Sequence, residues 1–476
     1  MDANEFAIAI MAAGKGTRLK SKHPKVLHEI GGRALLLHVI AAAETLVRAD
    51  HIFCIIGHEA DRVRTAVAPT GVQFVLQPEQ RGTGHALQML KADFMLSGRP
   101  IPKHLLVLSG DVPLIRPETI AALRDTHLRE HAAMTILTAV PTDPTGYGRV
   151  IRATADKPEV TAIVEQKSLR PNQLSAPEIN SGIYCFDTAA LFARLDALTT
   201  NNAHGEFYLT DIAAMLVAEG KRVVAIKADS VDEVLGANTI AEMMHLDAAM
   251  RLASAKRLMA QGVTIFRPET CVIDSTVTIG PDTVIEPYVQ LLGNTHIGGD
   301  SRIRSYSVIT NTTIGDNVMV HQGCIFDNSE IADKAILGPY ARLRPESRIG
   351  EAAHIGNFVE TKKTIIGKGS KANHLSYLGD AVIGDGVNIG AGAITCNYDG
   401  VNKHPTIIGD GAFIGSDSTL VAPVTIGAGS YIAAGSCITE EVPEGALALG
   451  RSRQTTKPGW VAARKAAAKN TEERKA

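Results

Sequence analysis

The sequence predicts an α/β protein: a Rossmann-like, mostly parallel sheet joined by a linking helix to a parallel β-helix of six-residue repeats. Three observations carry this. Strand-length apolar runs alternate with helix-like segments across the N-terminal half. A capping sequence with helically spaced apolar residues follows it. Aliphatic residues then recur every six positions across the C-terminal half.

The first part is assigned residues 1–238. Phe6–Met11 is an apolar run ending in Gly14-Lys15-Gly16. His51–Ile56 ends in Gly57, and His104–Leu108 ends in Ser109-Gly110-Asp111. Each reads as a buried strand delivering its C-terminal end to a loop, the edge at which open α/β sheets bind ligands. Gly14 and Gly16 let the backbone close on phosphates, with N–H groups forming a nest. Arg18 and Lys25 can neutralise the charge that develops when a triphosphate is split. The loop lacks the GxxxxGK[ST] spacing and the third Gly of a dinucleotide fingerprint, so neither motif applies. On spacing alone, a Gly-rich turn with no ligand remains an alternative.

The second part is a linking helix over 239–261. Thr239 and Glu242 match a capping box. Met243, Leu246, Met250 and Ala253 follow at helical spacing, and Gly262 supplies a stop.

The third part, 262–476, is the β-helix with a tail. Ile273, Ile279, Ile285, Leu291, Ile297 and Ile303 lie six apart. So do Ile331, Leu337, Leu343, Ile349 and Ile355, and Ile408, Ile414, Leu420, Ile426, Ile432 and Ile438. This period fits a solenoid in which each short strand points one aliphatic residue inward and buries it by stacking on its neighbours. The register breaks between Ile389 and Ile408, so Cys396–Pro405 reads as a loop thrown out of the coil. The Ala-, Lys- and Arg-rich residues 452–476 read as a flexible basic tail, frayed unless a partner orders it. His374 stands where a coil would place a small or aliphatic residue. A His there is suited to general acid–base work. A lone His among 16 is more often structural.

Composition narrows the class. With 48 Lys and Arg against 50 Asp and Glu, the charge balance gives no support for nucleic-acid binding. The six cysteines form no CxxC pair and read as reduced thiols of a cytoplasmic protein. No run is long enough to span a membrane, and no basic-then-apolar leader opens the chain.

Further motifs make the reading specific. Ala12–Arg18 with Pro24-Lys25, Gln77–Gly84, Gly110-Asp111-Val112-Pro113, Thr145–Arg149, Val164-Glu165, Glu178–Gly182 and Phe207–Asp211 together resemble sugar-phosphate nucleotidyltransferases. Joined to a hexapeptide solenoid, they resemble, over essentially the whole length, the bacterial bifunctional N-acetylglucosamine-1-phosphate uridylyltransferase and glucosamine-1-phosphate acetyltransferase family. Ser181 stands where that family pattern carries Thr.

The resemblance implies a left-handed β-helix, which the six-residue count alone does not decide, since parallel crossovers are normally right-handed. It implies a cytoplasmic homotrimer, with Mg2+, UTP and acetyl-CoA, serving cell-wall precursor synthesis. Met11, Ala12, Ala13, Gly14, Arg18 and Lys25 would meet the UTP, with Ser109 and Gly110. Gln77, Gly82 and Thr83 would read the uracil. Asp111 and Asn238 would hold Mg2+. Gly148, Glu165 and Asn180 would hold the sugar. In the solenoid, Arg344 and Lys362 would take the substrate phosphate, Tyr377 and Asn388 the sugar, and His374 the amine proton, with Glu360 a carboxylate partner for its ring. Asn397 and Tyr398 would lie near the acceptor or the pantetheine. Ala391, Ser416, Ala434 and Arg451 would line the acetyl-CoA site. Two alternatives stand beside this: a nucleotidyltransferase for another sugar with a regulatory solenoid, and a non-enzymatic assembly scaffold. Lys25, Asp111 and His374 together speak against a scaffold, which needs none of them.

Overall fold

The computed structural model describes residues 5–152, 154, 159–202 and 204–473. They divide into two compact units, Met1–Ser254 with Ile273–Thr276, and Ala255–Val272 with Val277–Ala476.

The first unit is built on a sheet in the order Val223–Lys227, Met134–Ala139, Ile179–Asp187, His104–Ser109, Phe6–Ala12, Ile52–Ile56, Gln73–Leu76. Six of these seven strands run parallel. Ile179–Asp187 runs antiparallel to both neighbours, and its register with Met134–Ala139 slips between Asn180 and Tyr184. Val160–Val164 and Arg149–Arg152 extend the sheet at that strand. The mostly parallel reading therefore holds, with one reversed strand that periodicity did not mark. Phe6 to Ile10 are all buried, because helices cover both faces of the sheet. Side chains alternate between the two layers: Ala7 and Ala9 join one core, Phe6, Ile8 and Ile10 the other.

The helix Ile240–Ala260 begins at the expected capping box. Glu242 Oε2 accepts from the Asn238 and Thr239 N–H groups at 2.9 Å each, and Thr239 Oγ1 accepts from the Glu242 N–H at 3.2 Å. Met243, Leu246 and Met250 pack with Ile30, Leu35 and Ala237.

The second unit consists of short strands, two to four residues each, in three parallel stacks of 11, 10 and 9 strands. All seventeen aliphatic residues of the three six-residue series are buried. Coils repeat at 18 residues (Val284 to Arg302) or 17 (Arg302 to Met319). The shorter repeat explains where the count of six lapses: one side of the triangle, such as Ile309 to Ile314, has five residues. Coils approach so closely at the corners that a Cβ on Gly298 would lie 2.6 Å from the Gly315 carbonyl carbon. Only Gly fits there.

The loop interrupting the register lies between the strands Ile394–Cys396 and Thr406–Ile408. It folds back on itself: His404 Nε2 meets Asp399 Oδ2 at 2.7 Å, and Tyr398 bridges Lys403. Within the basic tail, Trp460–Glu473 is an α-helix, because Ala, Lys, Arg and Glu are strong helix formers and neither Gly nor Pro follows Gly459. Residues 474–476 of that tail lie outside the described residues. Among the described residues no helix is long and apolar enough to cross a membrane.

Candidate active sites

At the C-terminal edge of the sheet a cleft of about 560 Å3 is lined by Met11, Ala12, Ala13, Gly14, Lys25, Gln77, Gly82, Thr83, Ser109 and Asp111. The turn after Phe6–Ala12 leaves open space at Gly14, where an added Cβ would meet nothing within 4 Å. Gly16 has a different reason to be Gly: its φ is +60° and a Cβ would press on Lys25 Cβ at 2.6 Å. Gly110 ties the strand ends together, its N–H donating to the Met11 carbonyl at 2.9 Å.

Charge gathers on one point of this cleft. Lys25 Nζ pairs with Asp111 Oδ2 and donates to Asn238 Oδ1 at 2.8 Å. Arg18 Nη2 donates to the same Asn238 oxygen at 2.8 Å. Asp111 Oδ2 and Asn238 Oδ1 thus converge on a single cation. Two hard oxygen donors so arranged fit a small divalent ion that takes few protein ligands. Among the described residues no group of three or more His, Cys, Asp or Glu could hold a metal ion. The capping box has a second effect here, since Glu242 anchors the backbone of Asn238.

Gln77 is buried and donates through Nε2 to the Gly82 carbonyl at 3.1 Å; the same nitrogen lies 3.1 Å from His85 Nδ1. Gly82 has φ +108° and no room for a Cβ beside the Phe207 carbonyl, 2.6 Å away. Thr83 Oγ1 accepts from the Leu209 N–H at 3.2 Å. The three residues carried over for the sugar also come together. Asn180 N–H donates to the Gly148 carbonyl at 2.9 Å. A Cβ on Gly148 would sit 3.5 Å from the Glu165 carboxylate. Glu165 accepts from Thr210 Oγ1 at 3.2 Å, and burial pushes its carboxyl pKa up. Asn180 Nδ2 donates to the Tyr184 hydroxyl at 2.8 Å, which sets the amide's orientation. Gly182 places this set beside Ser109 of the cleft: a Cβ there would lie 3.4 Å from Ser109 Oγ.

In the solenoid, Leu343 pairs with Thr361, so Arg344 and Lys362 stand one above the other in adjacent coils. Glu360 pairs with Tyr377 and Lys362 with Gly379 in the same sheet. One face therefore carries Arg344, Lys362 and Tyr377. The loop adds Lys403, whose pKa falls because the Lys362 ammonium lies beside it. Crowded cations of this kind suit an anion.

His374 ends the strand Lys371–His374 in a different sheet, opposite Asn357. Its Nδ1 lies 2.9 Å from Asn357 Oδ1. Glu360 does not hold this ring. It accepts from Arg344 Nη1 at 3.0 Å, because a carboxylate on that face meets the guanidinium of the preceding coil first. The four small or basic positions assigned to acetyl-CoA form a ladder on the His374 corner. Leu375 N–H donates to Asn357 O at 3.0 Å, Asp417 N–H to Ala391 O at 2.7 Å, and Gly435 N–H to Ser416 O at 2.8 Å. Arg451 Nη1 closes the ladder on Ala434 O at 2.7 Å.

Some expected neighbours are not brought together within one chain. Asn388 pairs with Lys371 and Phe413, on a different sheet from Tyr377. Asn397 is buried and bonds Asp380, while Tyr398 is exposed and donates to the Gly400 carbonyl at 2.5 Å. A groove of about 580 Å3 runs under the loop between Arg348, Ile365, Val382 and Lys403, without His374. Sequence reasoning missed Asn357, Lys403, Thr210 and Tyr184. Asn357 could have been found by asking what stands one coil, 17 residues, before His374.

Comparison with known proteins agrees with both halves. The family of MobA-like NTP transferase domains matches residues 8–208. The bacterial transferase hexapeptide family (six repeats) matches 276–311 and 405–440. The chain is 62% identical over 466 residues to a "Bifunctional protein GlmU" of Koribacter versatilis (strain Ellin345), covering 97% of this chain and 98% of that one. It is 48% identical to the protein of that name from Solibacter usitatus (strain Ellin6076), covering 98% of each. A third, from Heliobacterium modesticaldum (strain ATCC 51547 / Ice1), is 45% identical and covers 95% of this chain and 97% of its own.

Proposed function

Because the chain belongs to the family of bifunctional GlmU proteins, we infer that it is a two-activity transferase of UDP-N-acetylglucosamine synthesis. The C-terminal unit acetylates glucosamine 1-phosphate with acetyl-CoA. The N-terminal unit transfers UMP from UTP to N-acetylglucosamine 1-phosphate and releases pyrophosphate. The observation that carries the reading is the pair of sites: a nucleotide-sized cleft beside Lys25, Arg18 and Asp111, and a His-bearing corner with a ladder of small residues.

In uridylyl transfer a phosphate oxygen of the sugar phosphate attacks the α-phosphorus, and the bond to pyrophosphate breaks. The nucleophile is already ionised, so positioning and charge neutralisation do the work and no base is needed. Arg18 and Lys25 face the triphosphate. Gln77, Gly82 and Thr83 frame the uracil. Glu165, Asn180 and Gly148 hold the sugar. Asp111 and Asn238 would hold Mg2+, which supplies charge neutralisation on the phosphates when bound.

In acetyl transfer the glucosamine nitrogen forms a bond to the thioester carbonyl, His374 Nε2 takes a proton from it, the C–S bond breaks, and the departing thiolate takes up the proton. Arg344, Lys362 and Lys403 match the charge of the acceptor phosphate. The ladder Ala391, Ser416, Ala434 and Arg451 offers close backbone approach to a long thin acetyl-CoA. Tyr398, exposed on the loop and bonded only within it, is free to reach a second copy, which supports a homotrimer whose sites draw on two subunits. Free thiols throughout the described residues and phosphorylated substrates support the cytoplasm.

Incubating the pure protein with acetyl-CoA, glucosamine 1-phosphate, UTP and Mg2+ tests the whole scheme by mass of products. UDP-N-acetylglucosamine forms only when all four are present. If UDP-glucosamine is the main product, or no acetylated sugar phosphate appears without UTP, the scheme is overturned.

A further inference from the structure

We propose that Asn357 is a positioning residue for acetyl transfer: its side-chain oxygen holds His374 in the tautomer that leaves Nε2 free to take the amine proton. This rests on the reading of His374 as the base.

Three observations carry it. The ring Nδ1 lies 2.9 Å from Asn357 Oδ1. An amide oxygen only accepts, so Nδ1 carries the hydrogen and Nε2 the lone pair. The contact is built into the coil ladder. The strand His354–Asn357 pairs with Lys371–His374, with Asn357 opposite His374. Gly356, just before it, leaves no room for a Cβ against the Asn373 carbonyl, so the two strands are pressed together at this point. The carboxylate that could have competed for the ring, Glu360, is engaged by Arg344 at 3.0 Å.

The choice of an amide has a chemical consequence. A carboxylate on Nδ1–H would stabilise the imidazolium and hold the proton on the ring. A neutral acceptor fixes orientation without that bias, so the proton passes on readily to the leaving thiolate. The charged groups around the ring are consistent with this. The preceding coil brings His354, whose pKa is lowered chiefly by burial. Its own strand begins with Lys371. The coil after it brings Asn388 and Ala391, which carry no charge.

The test uses the full-length protein and the variants Asn357→Ala, Asn357→Asp and His374→Ala. Acetyl-transfer kcat, both KM values, the pH profile, melting and uridylyl transfer are measured on each, with 15N signals of the imidazoles assigned by loss of the His374 pair. Asn357→Ala is expected to lower kcat about 10- to 100-fold, the scale of a misoriented catalytic group. KM should stay within about twofold and uridylyl transfer should be unchanged. Its His374 ring nitrogens lose the single-tautomer pattern. Asn357→Asp keeps the pattern, moves the acidic limb of the profile to higher pH and recovers activity in base. A normal kcat in Asn357→Ala, a change confined to KM, or an unshifted profile in Asn357→Asp would overturn the proposal. Should Asn357→Ala melt early, the Asn357→Asp profile decides alone. If His374→Ala keeps full acetyl transfer, it is the base reading that fails; if that variant is inactive while Asn357→Ala is normal, only the positioning role fails.

Discussion

Asp111 pairs with Lys25 in the free protein, and in the proposed reaction it would also meet a bound metal ion. Asp111→Asn keeps the shape and removes the charge. Uridylyl transfer should fall at least about 100-fold, the scale of losing one electrostatic stabiliser, while acetyl transfer persists; normal UDP-sugar synthesis by this variant would sink the metal assignment. In the other unit, His374→Ala should lower acetyl transfer by a factor of about 10² to 10⁴, the usual cost of a lost general base. Uridylyl transfer should be untouched, since that site uses none. A third residue affects stability. His127 is buried with its Nδ1 2.9 Å from Thr135 Oγ1, and burial, then the neighbouring His104, pulls its pKa from 6.5 to about 4. Between those two values the unfolded chain binds a proton that the folded chain refuses. Stability is therefore retained above about pH 6.5 and declines as pH falls towards 4, by at most about 1.4 kcal/mol per pH unit from this group. Urea titrations across that range should show a shallower decline for His127→Gln; an identical pH slope would argue against the assignment.

At the scale of elements, the solenoid is a stack in which inward and outward residues of one strand differ completely in worth. Ile349 is buried at 2% exposure and Ile365, on the outer face of the next coil, is 45% exposed. Ile349→Ala should cost roughly 2–5 kcal/mol, as cavities in packed cores do. Ile365→Ala should stay within about 0.5 kcal/mol, as surface changes do, unless a second subunit covers that face. Denaturation of the two variants side by side reads the contrast. The loop Asn397–Pro405 stands outside this ladder, yet it carries Lys403 to Lys362. Deleting residues 397–404 should weaken acetyl transfer well beyond uridylyl transfer, with the latter as the internal control.

For the molecule as a whole, the arrangement of the acetyl-transfer residues speaks to assembly. Arg344, Lys362 and Tyr377 share one face, His374 and Asn388 belong to the neighbouring sheet, and Tyr398 is exposed on the loop. The proposed homotrimer would let Tyr398 reach the site of a second copy. Sedimentation should find three copies of the 50.5 kDa chain. A monomer with full acetyl transfer would refute the shared site, because every contact would then have to come from one chain.

The sequence by itself determined whatever depends on local order. A period of six aliphatic residues can bury them only in a coil, so the β-helix was legible from Ile273 to Ile438. Strand-length runs ending in Gly-rich turns marked the binding edge, and Thr239 with Glu242 marked the start of the linking helix. The roles of Lys25, Asp111 and His374 came from the motifs that carry the family resemblance, since each residue alone also fits a turn, a cap or a structural coil. The tertiary structure alone decided what depends on residues distant in the chain. The reversed strand Ile179–Asp187 carries the same apolar residues whichever way it runs. Coils of 17 rather than 18 residues place Asn357 rather than Gly356 opposite His374, and Glu360 is taken by Arg344. Arg18 and Lys25 both donate to Asn238 while Asp111 pairs with Lys25, joining residues up to 220 positions apart. Hydrogen bonds and ion pairs act over a few ångströms of space, and only folding brings those ångströms together.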